Sequence, residues 1–82
     1  MVSIMKEVTV SLETLERTKQ FVAITTNIPE DIDLIYGRYV VDAKSIMGIC
    51  SMDLATPLIM CVHADEGREK EILEQLKEFI TE

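Results

Sequence analysis

The run Leu58-Ile59-Met60-Cys61-Val62-His63-Ala64 constrains the fold more than any other stretch of the chain. It is far shorter than the ~20 apolar residues of a membrane span. Pro57 and Gly67 lie outside it, leaving no room for a long buried helix. A short, nearly continuous apolar run between such breaks predicts a strand central in a sheet. A central strand needs partners on both sides, and the chain supplies three more β-prone runs. From Ile4 to Val10 one parity holds Ile4, Lys6, Val8 and Val10, with Lys6 able to snorkel at an edge. Asp31–Tyr36 alternates with Ile32, Leu34 and Tyr36 on one face. Gly37-Arg38 turns the chain, and Arg38–Asp42 returns as the second arm of a hairpin.

Three helices separate or follow these strands. The spacing of Leu15, Thr18, Phe21, Val22 and Thr25 predicts one amphipathic helix that ends before Asn27 and Pro29. Ser11 is its expected N-cap, with the helix starting near Leu12; Thr14 is the alternative cap. A short helix is expected from about Ser45 to Met52, followed by a loop at 53–57. The last helix carries Ile72, Leu73, Leu76, Phe79 and Ile80 on one stripe, with Glu66/Lys70 and Lys70/Glu74 as opposite charges four apart. The order β-α-β-β-α-β-α predicts an α+β fold: a four-stranded antiparallel sheet with helices on one face and the other face solvated around Thr9, Asp31, Asp33 and His63. With 82 residues, 1–82 are expected to form a single domain.

Charge narrows the function. A net charge of −7 argues against nucleic acid and against anionic membrane surfaces, both of which need clustered Lys and Arg. The segment Met1–Glu7 lacks the apolar core of a signal peptide. The two cysteines, Cys50 and Cys61, form no CxxC pair and no metal-ligand spacing. Both sit in apolar runs and are expected as buried free thiols of a reducing compartment, the cytoplasm. No metal and no cofactor is implied. His63, the only histidine, has no second histidine to share a metal and enters no Ser- or Cys-His constellation; a structural role is expected. Glu69, Glu71, Glu74 and Glu78 are expected to form a wet helix face rather than an acid–base dyad.

The remaining candidate lies at Asp42–Met52. Ser45 follows Lys44 at the start of the short helix, where a serine caps the backbone or carries a phosphate near free N–H groups. Ile46, Met47 and Cys50 sit at helical spacing, as core or as a patch that docks a protein partner.

The length, the element order and the segment Ala43-Lys44-Ser45-Ile46-Met47-Gly48-Ile49 resemble HPr, the histidine-containing phosphocarrier family of the bacterial sugar phosphotransferase system. Ala64-Asp65-Glu66-Gly67 before an amphipathic helix fits the same family. The resemblance implies an HPr-like open-faced β-sandwich and a carrier rather than an enzyme. It also implies two phosphorylation sites: a histidine at the start of the first helix, and a regulatory serine, here Ser45, at the start of the short helix. With Gln20-Phe21-Val22 set on the family's first helix, Thr14 falls on the histidine position, Glu16 on an arginine position and Arg17 on a proline position; the preceding glycine is absent. A threonine ester is a poor phosphoryl donor beside a phosphoramidate, and Glu16 puts an anion where the phosphate would want a cation. The expected function is therefore a divergent, regulatory, protein-binding HPr-like module. Its partner would be a regulator or kinase of the phosphotransferase system. A carrier with an unusual acceptor, or a small-molecule-binding or assembly domain of the double β-α-β kind, are the alternatives. Homodimerisation through exposed hairpin strands stays open.

Overall fold

The structure is a computed structural model that describes residues 3–81. The side chains of Ser3 and Ile4 lie outside the described residues, and with them the expected role of Ile4. The chain order is β1 (Ser3–Val10), α1 (Leu15–Thr25), β2 (Asp31–Tyr36), β3 (Tyr39–Asp42), α2 (Ile46–Cys50), β4 (Leu58–Asp65) and α3 (Arg68–Gln75). The strands form one antiparallel sheet in the order β1-β4-β2-β3. The apolar run is thus a central strand, as its composition demands. A double β-α-β of the split kind places β1 inside the sheet beside β3, whereas here β1 is an edge strand that pairs with β4 among the described strands.

Period-two patterning decides which face is covered. Leu58, Met60, Val62 and Ala64 of β4 point to the helices and are buried, together with Val10 of β1 and Ile32 and Leu34 of β2. Phe21, Ile49, Ile72, Leu76 and Phe79 close over them from the other side. The Phe21 and Phe79 rings meet edge to face at 5.3 Å. At the hairpin, Tyr36 opposes Tyr39 across Gly37-Arg38, and Gly37 takes the positive φ of 58° that a glycine-first two-residue turn requires. No helix among the described residues is long and apolar enough to cross a membrane.

Several elements differ from their sequence expectation. Helix α1 starts at Leu15, not near Leu12, and Thr14 rather than Ser11 is the N-cap. Leu12 is instead drawn into the core, and Glu13 turns with a φ of 70°, which no helix can include. Leu15, expected on the buried stripe, is exposed as a result. Helix α3 stops at Gln75, although its apolar stripe runs on to Ile80. There the chain bends to lie beside β1: Ile80 bridges Val10, the Ser11 N–H donates to the Phe79 carbonyl at 2.8 Å, and the Thr81 N–H donates to the Thr9 carbonyl at 2.9 Å. The ion pairs of α3 run from Arg68 to Glu71 and, just past its end, from Lys77 to Glu74, rather than through Lys70. Glu69 is buried, not part of a wet face; its carboxylate accepts the Gly67 N–H at 2.6 Å and so caps a helix start that has no capping side chain.

Candidate functional site

The turn before α2 is built by short-range hydrogen bonds. The Asp42 carboxylate accepts the Lys44 N–H at 2.9 Å, and its carbonyl accepts the Ser45 N–H at 3.0 Å. Ser45 is extended, and its Oγ accepts the Gly48 N–H at 3.1 Å, the geometry of an N-cap. Space is tight at Gly48: a Cβ there would stand 3.2 Å from Ser45 Oγ and 3.4 Å from Val41 Cβ, so a larger residue crowds the capping hydroxyl. Ile49 and Met52 anchor the helix in the core. The faces alternate over so few residues that Met47 is left 83% exposed, with Cys50 exposed beside it; Lys44 and Ile46 are half-buried. Cys50 is therefore a surface thiol, against the expectation of burial, because the helix turns its own stripe outward there. Lys44, Ser45, Ile46, Met47 and Cys50 form one short surface feature.

This feature is locked to the rest of the fold through Ala43, which is fully buried. Its N–H donates to the Ile32 carbonyl at 2.9 Å, and its carbonyl accepts the buried Thr25 hydroxyl at 2.9 Å. Helix α2 is thereby fixed to both β2 and α1.

At the start of α1 the chain makes a second compact arrangement. The Thr14 N–H donates to the Leu12 carbonyl at 2.8 Å around the positive φ of Glu13, a strained γ-turn. The Glu13 N–H reaches the Leu54 carbonyl at 3.0 Å and ties this turn to the loop after α2. Thr14 Oγ1 accepts the Arg17 N–H at 3.1 Å, and Thr14 and Glu16 are exposed. The Arg17 guanidinium is engaged by the chain itself: Nε donates to the Leu12 carbonyl at 3.0 Å, and one Nη to the carbonyls of Ser11 at 3.0 Å and Glu78 at 3.2 Å. It also stacks over the Phe79 ring, 4.9 Å from the centroid. The sequence sets Arg17 only on the family's proline position. Its partners come from a γ-turn and from a segment some sixty residues away (a separation of 61), neither of which leaves a periodic signal.

The single histidine lies elsewhere. His63 is on the open face of β4, where Nε2 sits 3.1 Å from Asp33 Oδ2. Cys61, two residues before it, is also on that face yet buried, and burial together with nearby Glu7 and Asp33 pushes its thiol pKa up. Among the described residues no group of three His, Cys, Asp or Glu side chains is placed to hold a metal ion.

The family described as "PTS HPr component phosphorylation site" matches residues 6–82. A phosphocarrier protein HPr from Bacillus anthracis superposes with a TM-score of 0.69 at 26% identity, over 92% of this chain and 94% of that one. The HPr-C-His structure from Thermoanaerobacter tengcongensis gives 0.64 at 23% identity, over 95% of this chain and 89% of that one, which speaks to fold alone. No curated protein matches the chain.

Proposed function

Since the chain belongs to the HPr family of the phosphotransferase system, we propose that it is a regulatory, protein-binding member that works through α2 in the bacterial cytoplasm, and not a histidine phosphocarrier. The carrying observation is the exposure of Met47 at 83% on a helix held rigidly by Ala43. A large apolar side chain presented on a fixed element beside Cys50 is what a protein partner uses as an anchor. Support against the carrier role comes from the start of α1. Thr14 occupies the capping position with its hydroxyl turned to the Arg17 N–H, and Nε and one Nη of Arg17 are taken up by backbone carbonyls. A phosphate ester on Thr14 would be a poor donor, and the single histidine, His63, lies against Asp33 on the open sheet face.

In this reading Ser45 is the switch. Phosphorylation adds charge and acceptor oxygens beside Lys44 while the Gly48 N–H still points at the same atom. The modification then alters what the surface offers without rebuilding it. Incubation with an HPr kinase and ATP is expected to place one phosphate on Ser45, read by mass spectrometry; an unmodified Ser45 refutes the switch. Met47→Asp is expected to lower affinity for the partner by about a hundredfold with unchanged circular dichroism, as loss of an apolar anchor does. Label passing from phosphoenolpyruvate through enzyme I onto any residue of this chain overturns the non-carrier reading.

A further inference from the structure

The sheet face away from the helices is not a neutral solvated surface. Strand register sorts it into rows that cross the strands. Thr9, Ile59, Ile35 and Val40 form one row; Glu7, Cys61, Asp33 and Asp42 form the next; Met5, His63 and Asp31 form a third. The first row is apolar and open, with Ile59 at 43% and Val40 at 61% exposure. The other two carry Glu7, Asp31, Asp33 and Asp42 around a cleft of about 340 Å³, lined by Asp31, Ile32, Asp33, Asp42 and His63. Among the described residues of these rows none is a lysine or an arginine. Lys6, the one lysine in a described strand, opposes Val62 and has the other parity, and no arginine lies in a described strand.

Two features of this arrangement are unfavourable to the isolated fold. Asp33 stands directly opposite Asp42, and like charges across a ladder destabilise it. The only relief is local: His63 Nε2 lies 3.1 Å from Asp33 Oδ2, and Asp42 Oδ1 accepts the Lys44 N–H. An apolar row two residues away along the same strands is exposed as well. A sheet that needed only to cover its helices would gain by placing Lys or Thr at these positions.

We infer that the open face is a second docking surface, built for a Lys- or Arg-bearing amphipathic helix of a partner protein that lies across the strands. Spacing selects a helix over an extended chain. Adjacent strands are about 4.8 Å apart, nearer the ~5.4 Å at which one face of a helix recurs than the ~6.8 Å at which an extended chain repeats a face. Four strands span about 14 Å, or roughly nine helical residues. The apolar and acidic rows lie about 7 Å apart along the strands, so one helix sets an apolar stripe on Ile59, Ile35 and Val40 and a basic stripe on Asp33 and Asp42. This surface is opposite in sheet parity to the face that carries α2, so it stands or falls apart from the reading of Met47 and Ser45.

The test uses the full chain, uniformly labelled with ¹⁵N, and a helical probe peptide of roughly 14 residues with adjoining Leu and Lys stripes. Amide shifts on titration are expected at Glu7, Asp33, Ile35, Val40, Ile59 and His63, and Met47 is expected to stay still. Asp33→Asn with Asp42→Asn is expected to weaken the probe by about tenfold. Glu66→Gln with Glu78→Gln, an equal change of net charge away from the sheet, is expected to leave it unchanged. The paired Asn variant removes a repulsion, so its folding is not at risk, and a raised melting temperature is expected alongside. Shifts confined to the helices, equal weakening by both double variants, equal binding of a probe with Glu in place of Lys, or no binding each overturn the proposal.

Discussion

Cys50 and Cys61 differ by position alone, and the difference is measurable. Cys50 is exposed, while Cys61 is buried with its thiol held further toward the protonated form by burial, Glu7 and Asp33. Iodoacetamide under native conditions is expected to label Cys50 alone, with Cys61 reacting only in denaturant; peptide mapping distinguishes the two. Ser45→Ala removes the cap of α2 and is expected to cost about 1 kcal/mol in urea unfolding. Glu13→Gly acts in the other direction. It releases a side chain from a φ of 70° at the loss of a long, exposed contact to Arg17 at 3.8 Å, and is expected to add about 0.5–1 kcal/mol. Ser45 as a cap was legible in the sequence because capping is a local rule. The strain at Glu13 was not: nothing in Leu12-Glu13-Thr14 marks a positive φ, which is set by Leu12 entering the core and by the Leu54 carbonyl.

At the level of elements, the strands were readable nearly to the residue and the helix ends were not. Alternation in 31–36 and the apolar run of 58–64 are direct consequences of which side chains face the core. Where α3 stops is decided by pairing with a strand at the far end of the chain, and a periodic stripe through Ile80 carries no sign of that. Phe79 is where this pairing, the Phe21 ring and the Arg17 guanidinium meet. Phe79→Ala is expected to lower stability by about 3–5 kcal/mol, with Arg17 losing its cation–π contact as part of the loss; thermal unfolding measures it. Glu30, just before β2, joins Arg68 of α3 at 2.8 Å, and that hydrogen bond holds its carboxyl below the usual glutamate range. Its other oxygen is buried without a hydrogen-bond partner among the described residues. A depressed folded pKa gives stability that is present above the ordinary glutamate pKa and is lost as pH falls through the depressed value. The acid limb of the stability profile is therefore expected to flatten in Glu30→Gln, as followed by urea midpoints from neutral pH downward.

For the whole molecule, the net charge of −7 is unevenly spread, with the open sheet face acidic and without lysine or arginine among its described positions. Added salt screens this repulsion, so the melting temperature is expected to rise between about 10 and 150 mM ionic strength. The fixing of Ala43 between β2 and α1 has a further consequence for timing. A surface held that firmly meets its partner already in the binding shape, so encounter requires no slow rearrangement. At an ionic strength that screens the added charge, forms of the chain that differ only at Ser45 should then associate at similar rates and part at different ones, so that the signal is carried by how long a complex lasts.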